Sequence, residues 1–379
     1  IKVKIGQDKN NLESGTDLVV YTIAISEDNE EMVRAKELGI EMISYPETLA
    51  VISKNKKTIA ITGTHGKTTT TSMTAKALQG TGINPTTIVG TILKEWKSNF
   101  LKGDSGYFLV EGCEYKRSFL NLHPFVLVIT NIEADHLDYY KDLEDIKSAF
   151  RELAVRVPED GFVIAPLKDE NVKDVLEGVR ANLIDYTETD LGDFKIESMP
   201  GEHNLQNAKV AVSVAKALGG DEALAKSSLK DFSGVWRRFD FIGQTSNGAL
   251  VYDDYAHHPT EIKSFLGGVK EKFNDKKIIA VFGPHMLSRT KDFLEDFAKS
   301  FSGVDKVFIL PIYKARNENV EGISSADLVG LINENGVTAE EVKDFDDAKN
   351  KILDLLDNNT VLLRIGAGET NKLAEEKIK

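Results

Sequence analysis

Thr58-Ile59-Ala60-Ile61-Thr62-Gly63-Thr64-His65-Gly66-Lys67-Thr68-Thr69 is the stretch on which the reading of the chain turns. A short apolar strand, Thr58–Thr62, runs into a glycine-flanked turn and then into Lys67–Gln79, which has helix length. Glycines let backbone N–H groups turn inward around an anion, and a helix starting near Lys67 adds the positive end of its dipole. The lysine can reach the β- and γ-phosphates of a nucleotide, and the Thr68 hydroxyl can bind Mg²⁺. The spacing departs from the general Walker pattern: Ile61 stands five residues before Gly66, where that pattern has glycine. Strand, loop, Lys-Thr and helix nonetheless follow one another in the order a phosphate site requires.

Outward from this loop, β-branched runs alternate with helical patterns. Strands are expected at Leu18–Thr22, Tyr107–Glu111, Phe125–Thr130, Phe162–Ala165, Leu250–Asp253, Lys277–Phe282, Lys306–Leu310 and Val361–Ile365. Helices are expected at Leu143–Val157, Asn204–Leu218, Pro259–Phe273 and Ser288–Phe301. The alternation predicts an α/β fold of βαβ units with mostly parallel sheets, whose ligands bind at the carboxyl ends of strands. Glu111 ends one such strand, and Asn131-Ile132-Glu133-Ala134-Asp135-His136-Leu137-Asp138 follows another. Parallel neighbours would bring both to the edge that carries the phosphate loop. Carboxylates there can hold Mg²⁺ together with Thr68, and the neutral imidazole of His136 can ligate a second ion. Glu114 and Glu133 read equally well as solvated loop residues.

The bulk properties bound the partners. With 379 residues the chain has room for two or three domains. Breaks are expected at Lys54–Lys57 and Ser233–Arg238, where Arg237 and Arg238 read as a solvated hinge pair. A net charge of −13 argues against general nucleic-acid binding, which needs clustered positive charge. No window approaches the ~18 uninterrupted apolar residues of a membrane span. Cys113 is the only cysteine, so no intrachain disulfide is possible and a reducing cytoplasm suits the chain. Ile1 opens on what reads as a strand already under way.

Six segments in order, Gly63–Thr71 (GTHGKTTTT), Asn131–Tyr140 (NIEADHLDYY), His203–Ala208 (HNLQNA), Arg237–Asp240 (RRFD), Asp253–Glu261 (DDYAHHPTE) and the GPH and SRT of Gly283–Thr290, resemble the Mur ligases. Within that family they are most similar to the branch that adds L-alanine to UDP-N-acetylmuramate. The resemblance implies a three-domain α/β architecture: a partial Rossmann-like UDP-sugar-binding remainder over 1–53, a central P-loop ATPase over 54–234, and a C-terminal Rossmann-like domain over 235–379. It implies ATP and Mg²⁺ as cofactors, UDP-N-acetylmuramate and L-alanine as substrates, no nucleic-acid or membrane partner, and a monomer or weak homodimer. ATP would phosphorylate the muramate carboxylate, and the alanine amine would displace phosphate from the acyl phosphate.

Carried onto this sequence, Lys67 and the loop Gly63, Thr64, His65, Gly66, Thr68 and Thr69 would hold the ATP phosphates. Thr68 and Glu111 would bind one Mg²⁺ and His136 the other. His203, Asn204 and Asn207 would lie near adenine, although they also read as ordinary helix-capping residues. Arg238 would reach the nucleotide phosphates and Asp254 the ribose. Lys67, His136, His257 and His258 would serve catalysis, the last two by orienting the acceptor or the acyl phosphate. His285 and Arg289 would face the amino acid, with the Arg289 fork on the alanine carboxylate. The turn Gly366–Glu369 would close the amino-acid side of the cleft.

Three departures from the family pattern qualify these expectations. The glycine-rich UDP-binding turn is missing, as if roughly fifty residues, about one βαβ unit plus connections, preceded Ile1; weak binding of UDP-N-acetylmuramate with retained ATP binding is expected. Gly283, Met286 and Leu287 replace groups often found there, which loosens the amino-acid assignment. Phe150 stands where ligases of later steps carry a modified lysine, favouring alanine. A muropeptide-recycling ligase taking a tripeptide, and a nucleotide-binding protein without turnover, are the alternatives; Cys113-Glu114-Tyr115 and the SRT segment favour the alanine enzyme over the first.

Overall fold

In the computed structural model, which describes residues 2–315 and 320–373, the opening strand becomes β3 (Lys57–Thr62), buried on both faces from Thr58 onward. Burial on both faces is why its sequence is a continuous apolar run rather than an alternating one. It lies at the centre of a seven-stranded sheet with β4 (Thr86–Leu93), β5 (Ser98–Leu101), β6 (Tyr107–Glu111), β7 (Pro124–Ile129), β8 (Phe162–Ala165) and β9 (Asn182–Asp185), in the order β5-β4-β6-β3-β7-β8-β9. All pairings are parallel except β4 with β5. The register sets Ile61 opposite both Glu111 and Val128, so β3, β6 and β7 end together. That shared end carries the chemistry.

Two strands precede this sheet: β1 (Leu18–Tyr21) and β2 (Glu41–Ser44) pair in parallel, connected through α1 (Glu30–Leu38). α2 (Tyr45–Lys54) then leads into β3, opened by a reciprocal capping box between Ser44 and Glu47. α3 (Lys67–Gly80) follows the phosphate loop and is unusual in burying Thr70, Thr71, Ser72 and Thr74. Two of these hydroxyls are satisfied inside the helix, Thr71 donating to Lys67 O and Ser72 to Thr68 O, each at 2.8 Å. α4 (Leu143–Ala154) and α5 (Glu170–Val175) cover one face of the sheet, while α6 (Glu202–Ala217) and α7 (Glu222–Lys230) pack on α3 at the other.

A six-stranded sheet follows: β10 (Asp240–Gln244), β11 (Leu250–Asp254), β12 (Lys277–Phe282), β13 (Lys306–Ile309), β14 (Thr338–Glu341) and β15 (Thr360–Ile365), ordered β10-β11-β15-β12-β13-β14. Only β10 runs antiparallel. Its helices are α8 (Pro259–Lys272), α9 (Leu287–Asp292), α10 (Leu294–Ser300), α11 (Ser325–Glu334) and α12 (Phe345–Leu353).

The α/β expectation holds, with corrections in detail. Ile1 lies outside the described residues, and residues 2–17 contain no strand. The expected helix Ser288–Phe301 is two helices, because Phe293 leaves helical geometry at φ −115°, ψ 25°. The helix expected from Asn204 starts at Glu202, with Gly201 as its cap and no side-chain cap bond. Edge strands β5 and β14 escaped notice because strands at a sheet edge keep polar sequence, as in Thr338-Ala339-Glu340-Glu341. Phe150 is a core residue, edge-on to Phe119 at 5.0 Å. Among the described residues no helix is long and apolar enough to cross a membrane.

Candidate active site

Gly63 begins the loop at φ +126°, where a Cβ would sit 2.0 Å from Thr130 Oγ1. Gly66 ends it at φ +81°, where a Cβ would sit 2.9 Å from Asn207 Oδ1. Both positions therefore require glycine, on conformational and on steric grounds. The loop is tied to the end of β7: His65 N donates to Asn131 Oδ1 at 2.9 Å, and Thr130 Oγ1 donates to His65 O at 2.6 Å. Thr64 Oγ1 accepts from Glu133 N at 2.9 Å. These bonds fix the cradle before any ligand arrives.

Lys67 Nζ donates to Gly63 O at 2.6 Å and Thr64 O at 2.9 Å, and pairs with Glu114 at 2.9 Å. Thr68 Oγ1 donates to Glu111 Oε2 at 3.0 Å, and Gly90 N donates to Glu111 Oε1 at 2.6 Å. Burial pushes the Glu111 carboxyl up against these two hydrogen bonds. A carboxylate so placed gains from a cation, so the Thr68–Glu111 pair suits a hard metal ion.

Glu114, open to a solvated-loop reading in the sequence, is 3% exposed. Burial raises its carboxyl, yet Lys67 and His136 outweigh that and hold it below the usual range. His136 Nε2 lies 3.3 Å from Glu114, on a residue whose backbone sits at φ +54°. Such a conformation costs free energy that the surrounding structure must repay, which is common at functional positions. His136 Nδ1 is buried with no hydrogen-bond partner among the described residues.

A cavity of about 260 Å³ opens beside the loop. His65, Gly66, Thr68 and Thr69 line it from the loop, His203, Asn204 and Asn207 from α6, and Arg238 and Asp254 from the six-stranded unit. Residues far apart in sequence thus meet around one cavity. The amides of α6 are organised inward rather than used as caps: Thr70 Oγ1 donates to Asn207 Oδ1 at 2.9 Å, and Asn207 Nδ2 to Asn204 Oδ1 at 3.2 Å. Burial lowers His203 to about 4 and raises Asp254 to about 6. Asp254 accepts from Phe239 N at 2.7 Å and Ala256 N at 2.8 Å, so its carboxylate also holds its own loop.

His257 and His258 lead into α8, with His258 as its N-cap. His257 Nδ1 lies 3.0 Å from Tyr255 O and 3.2 Å from Glu261 Oε2, both acceptors. The network therefore places the proton on Nδ1 and leaves Nε2 as the acceptor of a neutral ring, in keeping with burial lowering His257 to about 4. His258 Nδ1 accepts from Thr260 N at 3.3 Å, and its ring lies 4.6 Å from that of His65. His65, Glu133 and His258 offer ligand atoms within 4.8 Å of one another. The Thr260 bond leaves the His258 proton on Nε2, so a metal there would first have to displace it.

His65 bridges the two sheet units, with Nε2 3.5 Å from Glu133 and Nδ1 3.6 Å from Glu261. Burial disfavours its charge, but the two carboxylates prevail and raise it to about 9. Its folded pKa exceeds the unfolded 6.5, so the stabilisation is complete below pH 6.5 and lost as pH rises through about 9. An apparent stability loss of roughly 3 kcal/mol across that window is expected. Glu133→Gln should flatten the dependence of the melting temperature on pH; an equally steep curve in that variant would exclude His65 as its source.

Arg289 lies at the same junction, its guanidinium 2.9 Å from Asp135 across the two units. Burial works against the ionised Asp135, and Arg289 together with the nearby histidines more than offsets it. An alanine carboxylate at Arg289 must therefore compete with a buried ion pair already in place. His285 stacks on Tyr313 at 5.3 Å. Arg237 is no solvated hinge residue: it is 4% exposed and binds Asp253, Gly366 O, Gly368 O and Thr370 Oγ1. The Gly366–Gly368 turn spends its carbonyls on that arginine. Glu261, which the sequence offered only as a first-turn acid of α8, is the side chain that reading missed.

Comparison with known proteins gives three consecutive matches to family models: Mur ligase family, catalytic domain, over residues 1–57; Mur ligase middle domain over 61–197; and Mur ligase, glutamate ligase domain, over 237–368. The UDP-N-acetylmuramate–L-alanine ligase of Caldicellulosiruptor saccharolyticus is 40% identical, covering 99% of this chain and 88% of its own. The protein of that name from Caldanaerobacter subterraneus subsp. tengcongensis is also 40% identical, over 96% of this chain and 84% of its own. The solved UDP-N-acetylmuramate-alanine ligase of Thermotoga maritima superposes with a TM-score of 0.79 at 27% identity, covering 98% of this chain and 86% of its own. A murein peptide ligase from Psychrobacter arcticus, 24% identical and with a TM-score of 0.69 over 98% of this chain and 87% of its own, shares the fold.

Proposed function

The chain belongs to the Mur ligase family, and from that membership we infer that it is an ATP-dependent ligase joining L-alanine to the lactyl carboxylate of UDP-N-acetylmuramate. The reaction belongs to peptidoglycan precursor synthesis. The observation that carries the reading is the match, at 40% identity over 99% of the chain, to a relative bearing that activity in its name. The division into units over 1–53, 54–234 and 235–379 is supported by the three separate sheets.

ATP supplies the phosphoryl group that activates the carboxylate, and Mg²⁺ neutralises charge on the phosphates. Phosphoryl transfer between anions needs alignment and charge neutralisation rather than a protein nucleophile. The loop Gly63–Thr69 supplies N–H groups and the Lys67 ammonium. Thr68 and Glu111 would hold one Mg²⁺ and His136 a second. Lys67 must exchange loop carbonyls for phosphate oxygens, while Glu114 keeps it oriented and charged. Arg238 and Asp254 would contact the nucleotide from the opposite unit. The neutral His257 offers Nε2 as an acceptor, and burial between two units keeps an activated acyl group from water.

Phosphate release by the full chain, dependent on both L-alanine and UDP-N-acetylmuramate, is the expected result. Competition between alanine and the L-alanyl-γ-D-glutamyl-diaminopimelate tripeptide decides the acceptor. Phosphate release that required the tripeptide and ignored alanine would move the chain to the recycling branch, and none with either would leave a nucleotide-binding protein.

A further inference from the structure

We propose that Glu261 is a positioning residue that couples the phosphate loop to the amino-acid side of the cleft, so that His257 and Arg238 are aligned only when the two sheet units meet. The proposal deepens the ligase reading and rests on it.

Glu261 lies in the first turn of α8, with its side chain 12% exposed. One oxygen, Oε1, faces the neighbouring unit: it is 3.6 Å from His65 Nδ1 on the phosphate loop and 3.7 Å from Arg238 Nη1. The other, Oε2, accepts the His257 backbone N–H at 3.0 Å and lies 3.2 Å from His257 Nδ1. A single carboxylate thus touches a loop residue, a nucleotide-facing arginine and the histidine whose tautomer it fixes. Burying a carboxylate is costly unless it is paired and hydrogen-bonded. Two of these partners belong to its own unit, and the third, His65, arrives only with the phosphate loop. Closure of the cleft and orientation of His257 are therefore one electrostatic event.

A purely structural role, as a negative charge at a helix N-terminus, would lower stability without separating kcat from substrate binding. Four variants distinguish the two on the full chain: Glu261→Gln, Glu261→Asp, His65→Asn and Glu261→Gln with His65→Asn. Steady-state kcat, the KM for alanine, the Kd of a non-hydrolysable ATP analogue by calorimetry, and thermal unfolding are measured for each against wild type. Glu261→Gln should lower kcat about 30- to 100-fold, the scale of a misoriented reacting group. Its nucleotide Kd should stay within about threefold, because direct phosphate contacts remain. Glu261→Asp, which keeps the charge on a shorter arm, should recover part of the loss.

The double variant should fall by clearly less than the product of the two single losses, the mark of groups acting as a unit. A kcat for Glu261→Gln within about threefold of wild type, or losses that simply multiply, overturns the proposal. If Glu261→Gln does not fold, Glu261→Asp with wild-type kcat has the same force. Wild-type turnover in the same assay separates this failure from that of the ligase reading, since an inactive wild type sinks the reading itself.

Discussion

Replacing Lys67 by alanine is expected to abolish formation of UDP-N-acetylmuramoyl-alanine, a loss of at least about 10³-fold in kcat/KM. The size follows from what the ammonium does. The phosphate loop carries it at the start of α3, and electrostatic stabilisation of developing phosphoryl charge is commonly the largest contribution to such reactions. Lys67 also compensates the buried Glu114, which would be left facing His136 at 3.3 Å. Burial would then push the Glu114 carboxyl up, so part of the loss would come from a distorted carboxylate rather than from missing phosphate contact. Lys67→Ala with Glu114→Gln separates the two contributions: it should fold at least as stably as Lys67→Ala alone and remain inactive. Product accumulating in Lys67→Ala at more than a few per cent of the wild-type rate would remove the phosphate loop from the mechanism.

The second large effect concerns stability. Arg237→Met should cost about 3–5 kcal/mol, the usual result of removing one partner from a buried ion pair. Asp253 is fully buried, and burial pushes its carboxyl up against Arg237 at 2.7 Å and Arg364 at 3.6 Å. Without Arg237, Asp253 keeps among the described residues only the longer contact, the Gly368 carbonyl loses its donor, and the Gly366 carbonyl is left with Thr370 Oγ1 at 3.3 Å. Those groups join the end of β15 to the segment entering β10, so the six-stranded unit should unfold first. Urea unfolding followed by the fluorescence of Trp236, which lies beside Arg237, reads this directly. A midpoint shift worth less than about 1 kcal/mol would show that the network can rearrange around the loss. Arg238→Met, whose side chain faces the cavity, should by contrast affect nucleotide binding more than stability.

The two arginines show where sequence reading stops. They are adjacent, share one residue type and sit in a polar junction, so nothing local distinguishes them. The fold turns Arg237 inward to Asp253, Gly366, Gly368 and Thr370, between 16 and 133 residues away, while Arg238 faces the cleft. Glu114 and Glu261 were undervalued for the same reason. A carboxylate in a loop or in a first helical turn usually has a local explanation, and only packing shows that each meets basic side chains from other segments.

What the chain's order of residues determined is everything that depends on neighbours along it: the β3 run with its phosphate loop, the α/β alternation, and the family motifs with their spacing. Backbone sterics and hydrophobic periodicity act over a few residues and leave local signatures. What the tertiary structure alone decided is which charges are compensated. His65 meets Glu261 across nearly two hundred positions, and Arg289 meets Asp135 across a comparable gap of 154. Electrostatic energy depends on distance through space and on burial, and neither is written in the order of the residues.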